Sequence, residues 1–82
     1  MIRILYFAWL KARIGRAEET LTPVPPTVGA LIATLAARGG GYADAFSRPE
    51  AIRCAVNQEF AETDQPLAAG DEVALFPPVT GG

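Results

Sequence analysis

Alternating apolar and polar positions predict five strands, at residues 2–7, 18–22, 52–57, 60–61 and 72–76. Between the second and third strands, Thr27 is a good N-cap, and the apolar positions behind it recur at helical spacing: Val28, Leu31, Ile32 and Leu35. A shorter helical turn is expected at residues 9–14, where Gly15 ends it. This order predicts an α+β fold, a sheet with one main helix packed on one face.

The connections are predicted from turn residues. The three glycines at residues 39–41 are expected to stop the main helix. Residues 42–49 are expected to form a loop with at most a turn of helix, placing Tyr42 and Phe46 over the core. Residues 57–58 suit a turn, Leu67 anchors the long connection that follows, and residues 70–71 turn into the last strand.

Strand alternation assigns the side chains to two faces. One face carries the pairs Ile2–Ile4, Cys54–Val56 and Val73–Leu75, which form a core against the helix. The opposite face should meet water, yet it is also rich in apolar side chains: Leu5, Phe7, Ala55, Ala74 and Phe76, joined by Phe60. A contiguous apolar patch on a small domain is typical of a surface that binds a partner.

Composition excludes several functions. The 82 residues suffice for one domain, half of them are hydrophobic, and the net charge is −2. Without a basic stripe, nucleic acid is not an expected partner, and no apolar run is long enough to span a membrane. The first residues lack a signal-peptide pattern, so a cytoplasmic location is expected.

The side chains offer little catalytic chemistry. The chain has no histidine and a single cysteine, Cys54, so we expect neither a metal site nor an internal disulfide. Ser47 has no histidine to activate it, and alternation places Cys54 in the core. The group left to take part in a reaction is the terminal carboxylate of Gly82.

The chain ends in a slim tail. We predict a domain at residues 1–76 and an extended, flexible tail at residues 77–82, Pro-Pro-Val-Thr-Gly-Gly. The two prolines stiffen its root, and glycine has no Cβ to clash in a narrow channel. Six extended residues reach about 20 Å, enough to bring a carboxylate into another protein's active site.

Several segments resemble the small subunits of molybdopterin synthase, a family of ubiquitin-like sulfur carriers. They are residues 2–8 (Ile-Arg-Ile-Leu-Tyr-Phe-Ala), the helix start at 27–28, residues 55–58 (Ala-Val-Asn-Gln) and residues 70–82, which end in Phe-Pro-Pro-Val-Thr-Gly-Gly. The resemblance covers essentially the whole chain and is weakest at residues 38–53. It implies the ubiquitin-like β-grasp fold, in agreement with the predicted order of elements.

The resemblance also implies a mechanism. An E1-like activating enzyme consumes ATP to adenylate the carboxylate of Gly82, and a sulfur donor converts the adenylate to a thiocarboxylate. The tail then enters the large subunit, where the sulfur passes to a cyclic pyranopterin precursor of the molybdopterin dithiolene. In this scheme the small subunit donates sulfur without catalysing the reaction and binds no cofactor permanently.

The family's site residues carry over by position. Gly82 is the modified residue, Gly81 gives steric clearance, and the inserted tail is completed by Thr80, Val79, Pro78 and Pro77. Phe7, Phe60 and Phe76 match apolar positions at the subunit interface. The implied assembly is a heterotetramer, with two small subunits at opposite ends of a large-subunit dimer.

Three alternatives remain open at this point. The chain could carry sulfur for thiamine or for a thiolated tRNA base, with the same fold and activation chemistry. It could be a ubiquitin-like modifier whose Gly82 is joined to lysines of other proteins. It could also be an adaptor that uses only its apolar face.

Overall fold

The fold is known from a computed structural model that describes residues 1–78. Five strands and four helical segments follow one another along the chain: β1 (Ile2–Tyr6), α1 (Ala8–Ile14), β2 (Glu18–Leu21), α2 (Val28–Ala36), α3 (Gly40–Ala45), a 3-10 turn (Pro49–Ala51), β3 (Arg53–Val56), β4 (Glu59–Ala61) and β5 (Glu72–Phe76). The expected α+β fold is therefore confirmed.

The strands form one mixed sheet in the order β2-β1-β5-β3-β4. The first and last strands lie side by side and run parallel, whereas every other neighbouring pair is antiparallel. The end of β5, from which residues 77–82 continue, is consequently at the centre of the sheet and beside the end of β1.

The core lies where strand alternation and helix periodicity place it. Ile2, Ile4, Val73 and Leu75 on the sheet are fully buried against Val28, Leu31 and Leu35 of α2, and Ile32, Cys54 and Val56 are less than a tenth exposed. Leu67 packs at the edge of this core, as the sequence predicts. Removing these side chains from water is the main term that stabilises a domain of this size.

Helix α2 begins as predicted. Thr27 is extended, and its hydroxyl accepts a hydrogen bond from the backbone N–H of Ala30 at 3.1 Å. Gly29 has a packing role that its helix propensity does not reveal. Its N–H donates to the carbonyl of Thr63 at 2.8 Å, and a Cβ at this position would lie only 3.2 Å from the same oxygen.

The other two helices differ from the sequence predictions. The turn expected at residues 9–14 is a two-turn helix, ended by Gly15 in the left-handed conformation (φ +89°). The main helix α2 ends at Ala36, shortly before the three glycines that were expected to stop it, and Gly40 and Gly41 begin α3. Part of the expected loop at 42–49 is therefore helical. Close packing of α3 on α1 at Gly41 compensates for the low helix propensity of glycine.

The turns explain the limits of the strands. Asn57 and Gln58 both have positive φ, +53° and +71°, as in the two-residue turns that join tight hairpins. They shorten the predicted third strand to Arg53–Val56 and leave room for β4 at Glu59–Ala61. The second strand ends at Leu21, one residue earlier than predicted, and the last strand has the predicted bounds.

A search of residues 1–78 for membrane spans gives none, since every helix in this part of the chain is too short or too polar to cross a bilayer.

Candidate functional site

Three phenylalanines lie together on the face of the sheet opposite α2. We call Phe7, Phe60 and Phe76 the phenylalanine surface. The rings of Phe60 and Phe76 are 5.9 Å apart, centroid to centroid, with 60° between their planes. Phe60 is 84% exposed and Phe7 48% exposed, which is unusual for side chains of this size.

Strand register explains how these rings meet. Ala55 on β3 is paired with Phe60 on one side and with Ala74 on the other, so small side chains lie between the aromatic ones. The N–H of Phe7 donates to the carbonyl of Leu75 at 3.1 Å, which continues the parallel β1–β5 alignment to Phe7 beside Phe76. The three phenylalanines therefore lie on the outer face predicted by alternation, where Arg53 of β3 stands opposite Phe76.

Charged groups border this surface at the opposite end of the strands. Arg3 donates to the carboxylate of Glu18 at 3.0 Å and lies 3.7 Å from that of Glu72. This hydrogen bond to the Glu18 carboxylate raises the pKa of the Arg3 guanidinium. The ion pairs are exposed and contribute little to stability, but they limit the apolar region to the end of the sheet that carries the tail.

The tail root lies at this same end. Strand β5 stops at Phe76, and Pro77 and Pro78 follow it, half-buried. Proline lacks the N–H that a further ladder hydrogen bond would need, so the sheet cannot continue. Val79, Thr80, Gly81 and Gly82, which the sequence assigns to the inserted tail and the modified terminus, lie outside the described residues.

A groove of about 660 Å³ opens beside the phenylalanine surface. It lies between the 3-10 turn and the residues around β4, and we call it the β4 groove. The buried residues Ile32, Ile52 and Cys54 form its base, and Phe60 and Phe76 also line it. Glu50 and Glu62 contribute its carboxylates.

Cys54 is not poised for chemistry. It is 6% exposed, and its thiol donates a hydrogen bond to the carbonyl of Ala61 at 3.1 Å. Burial and the nearby carboxylate of Glu62 both raise the pKa of the thiol, which disfavours the reactive thiolate. The expectation that Cys54 belongs to the core is confirmed. Within residues 1–78, no group of three or more potential metal ligands comes together.

A polar cluster around Glu19 was not predicted from the sequence. The Glu19 carboxylate accepts hydrogen bonds from the hydroxyls of Tyr6 at 2.7 Å and Tyr42 at 2.6 Å, and from the Arg38 guanidinium at 2.7 Å. Burial by itself raises the pKa of Glu19, but these three donors outweigh it and the net pKa is lowered. Burial and the Glu19 hydrogen bond raise the pKa of Tyr6. Through these bonds the cluster ties β2 to β1, to α3 and to the residues just after α2.

Comparison with known proteins agrees with the geometry. Residues 4–82 match the model of the ThiS family. The chain is 42% identical over 82 residues to the molybdopterin synthase sulfur carrier subunit of Escherichia coli K12, with all of both chains covered.

Two solved structures share the fold. SAMP1 of Haloferax volcanii, a small archaeal modifier protein, is 30% identical with a TM-score of 0.74, covering 99% of this chain and 98% of that one. A chain in the complex of subunits 1 and 2 of the molybdopterin-converting factor from Helicobacter pylori is 22% identical, with a TM-score of 0.69 and coverage of 99% and 97%. The latter shows the β-grasp fold alone. Because the 42% identity extends over the full length of both chains, this chain belongs to the ThiS family and, within it, to the sulfur carrier subunits of molybdopterin synthase.

Proposed function

We propose that the carboxylate of Gly82 carries the sulfur, and that the phenylalanine surface holds the carrier against the large subunit of the synthase. The observation that carries this proposal is the position of Phe7, Phe60 and Phe76 around the root of the tail. A protein that binds this surface receives the tail beside its own contact area. The family match supports the assignment to Gly82, since it runs through residue 82.

The chemistry needs activation because a carboxylate is negatively charged and has a poor leaving group. An E1-like enzyme first joins the carboxylate of Gly82 to AMP and releases pyrophosphate from ATP. A donor that delivers sulfur as sulfide then attacks the acyl carbon, AMP leaves, and a thiocarboxylate results. Its sulfur bonds to a carbon of the cyclic pyranopterin precursor as a carbon–oxygen bond at that carbon breaks and the oxygen leaves. Water then cleaves the acyl–sulfur bond, which leaves the sulfur on the precursor and restores the carboxylate of Gly82.

The chain itself contributes binding and delivery. The slim Gly81-Gly82 end passes through a narrow entrance, and Thr80, Val79, Pro78 and Pro77 form the inserted segment. Catalytic groups are assigned to the large subunit, because the described residues offer a buried thiol and salt-bridged charges but no activated nucleophile. We propose that the chain works in the cytoplasm. We also propose that its complex with the large subunit is a heterotetramer, in which two small subunits lie at opposite ends of a large-subunit dimer.

The Helicobacter pylori structure supports a two-subunit arrangement, since it is described as a complex of subunits 1 and 2 of a molybdopterin-converting factor. We extend that pairing to this chain as part of the proposal. The exposed phenylalanine surface is consistent with it, because the burial of Phe60 and Phe7 against a partner removes a large apolar area from water.

The intact mass of the untagged protein tests the proposal. After incubation with ATP, the activating enzyme and a sulfur donor, we expect a gain equal to the exchange of one oxygen for sulfur, mapped to Gly82. Loss of the gain when ATP is omitted is the control. No gain with an activating enzyme that charges its own carrier would overturn the assignment.

A second function is favoured by one comparison. The 30% identity to SAMP1 of Haloferax volcanii, a small archaeal modifier protein, favours a second use of Gly82, its attachment to other proteins through an amide bond to a lysine amine. The same adenylate precedes both reactions. Covalent conjugates of higher mass on a blot of cell extract, absent in a strain with Gly82 deleted, would show this second use.

A further inference from the structure

Charge is divided unevenly along the chain. Residues 1–53 contain seven basic and four acidic residues, a net charge of +3, whereas residues 54–82 contain no basic residue and five acidic ones, a net charge of −5. Together they give the overall −2. The acidic part includes β4 and the connection after it, so this edge of the sheet carries the acidic residues Glu59, Glu62 and Asp64. Asp71 directly precedes the central strand β5 and Glu72 begins it, where Glu72 is 3.7 Å from Arg3.

The β4 groove borders this acidic edge, and its charged lining residues are Glu50, Glu62 and Arg53. Its base is apolar, since Ile32, Ile52 and Cys54 are each less than a tenth exposed and belong to the core. The one guanidinium among the described groove residues is that of Arg53, and it donates to the backbone carbonyls of Glu50 at 2.9 Å and Ile52 at 3.4 Å. These two bonds come from one nitrogen, Nη1, and the positive charge of Arg53 is outnumbered by the carboxylates of Glu50 and Glu62, the other charged residues of the groove.

Glu62 lines the groove together with Cys54, and its carboxylate contributes to the raised pKa of the Cys54 thiol. A side chain that entered the groove would meet an apolar base with a carboxylate beside it. An apolar side chain fits the base, and a cation next to it in sequence would pair with Glu50 or Glu62.

We propose that the β4 groove receives an apolar side chain from the large subunit, on a segment in which Lys or Arg flanks that side chain. The inference rests on the proposed function and specifies the partner's chemistry at the same end of the sheet. The groove is continuous with the phenylalanine surface through Phe60 and Phe76, so one partner can cover both. An acidic segment is disfavoured because like charges across an interface repel.

Charge reversal at Glu62 tests the electrostatic part of the proposal, the attraction between the groove carboxylates and a basic partner segment. The binding of full-length Glu62→Lys to the large subunit from the same organism is measured by surface plasmon resonance at several salt concentrations. We expect Kd to rise at least tenfold at low salt, with a weaker dependence on salt than wild type. The Kd of Glu62→Gln is expected to lie between those of wild type and Glu62→Lys.

Asp44→Lys is the matched control. Asp44 lies on α3, pairs with Arg13 and is exposed, and its reversal changes the net charge by the same amount. We expect Kd to change less than twofold. An unchanged Kd for Glu62→Lys, or an equal rise for both variants, would overturn the proposal.

Filling the groove tests the apolar part. Ala61 lines the groove and is half-buried, so Ala61→Trp places a large ring where the partner's side chain is expected. Binding should weaken at least tenfold while the thermal melt stays cooperative, and undiminished binding by a folded variant would contradict the proposal. If Ala61→Trp does not fold, the binding of Glu62→Lys and Glu62→Gln to the large subunit decides the proposal. Failure of the proposed function is distinguishable, because wild-type protein would then gain no sulfur at Gly82 whatever the groove variants bind.

Discussion

Phe60 and Phe76 are 16 residues apart in the sequence, yet their rings lie 5.9 Å apart on the outer face of the sheet. They meet because β3 pairs with both β4 and β5, which places Phe60 opposite Ala55 and Phe76 opposite Arg53. Phe60 remains 84% exposed in spite of this contact. The pair therefore contributes more to an external contact than to the core, and it stands at the root of the tail.

Phe60→Asp should separate binding from folding. Since Phe60 is almost fully exposed, we expect the free energy of unfolding to change by about 0.5 kcal/mol or less. Loss of the Phe60 ring from a partner interface should raise Kd for the large subunit at least about tenfold, which corresponds to a loss of about 1.4 kcal/mol in binding free energy. Calorimetry measures the binding, and denaturant unfolding measures the stability.

Ala33→Asp is the control for that variant. It introduces the same charge at an exposed position on α2, which packs on the opposite side of the sheet. Its binding should be that of wild type. Equal affinity for Phe60→Asp and wild type would contradict the assignment of the phenylalanine surface.

Deletion of Gly82 should abolish sulfur transfer and leave the fold intact. Within residues 1–78 the last strand ends at Phe76 and a buried core is already formed, so we expect the melting temperature to shift by no more than about 2 °C. Single-turnover transfer to the precursor measures the activity. Transfer at the wild-type rate by the truncated chain would exclude Gly82 as the carrier.

Glu19→Gln should destabilise the fold and change its dependence on pH. The substitution removes charge-assisted hydrogen bonds from Tyr6, Tyr42 and Arg38, at a cost of about 2–4 kcal/mol. The folded-state pKa of Glu19 is below its ordinary value of 4.5, so its contribution is fully present above pH 4.5. That contribution is lost as pH falls through the folded pKa.

Unfolding in urea at pH 7 and at about pH 3 measures this contribution, with the difference between wild type and Glu19→Gln expected to shrink at low pH. Glu18→Gln is the control, because Glu18 is adjacent in sequence but its ion pair with Arg3 is exposed. Glu18→Gln should lower the free energy of unfolding by no more than about 1 kcal/mol. A constant difference between wild type and Glu19→Gln at both pH values would contradict a role for the ionised carboxylate.

Gly41→Ala should be strongly destabilising. A Cβ at residue 41 would overlap the backbone carbonyl of Arg13, where α3 packs on α1. The helices would have to separate, and we expect a loss of about 2 kcal/mol or more in the free energy of unfolding. Gly29→Ala is the comparison, because its tight 3.2 Å contact with Thr63 is offset by a gain of about 1 kcal/mol in helix propensity. Similar stability of the two variants would contradict the steric explanation.

The sequence by itself determined the strands, the main helix and the two faces of the sheet. Apolar residues that recur every second position in a strand, or every three to four positions in a helix, mark the side chains that become buried. These periods place Ile2, Ile4, Val73 and Leu75 in the core, where all four are fully buried. The same patterns assigned Phe7, Phe60 and Phe76 to the opposite face. The tail and its Gly82 also follow from residue type alone, because proline fixes φ and lacks an N–H, and glycine lacks a Cβ, wherever they occur.

Tertiary structure decided what depends on contacts between distant segments. The helix at Gly40–Ala45 contradicts local propensity and exists because α3 lies close against α1 at Gly41. Glu19 gains its three donors from β1, α3 and the residues just after α2, which no spacing along the chain reveals. The β4 groove likewise forms only where the sheet edge meets the 3-10 turn. The spacing of apolar residues along the chain predicts which side chains are buried. The pairing of polar groups and the shape of a surface depend instead on which distant segments the fold brings together.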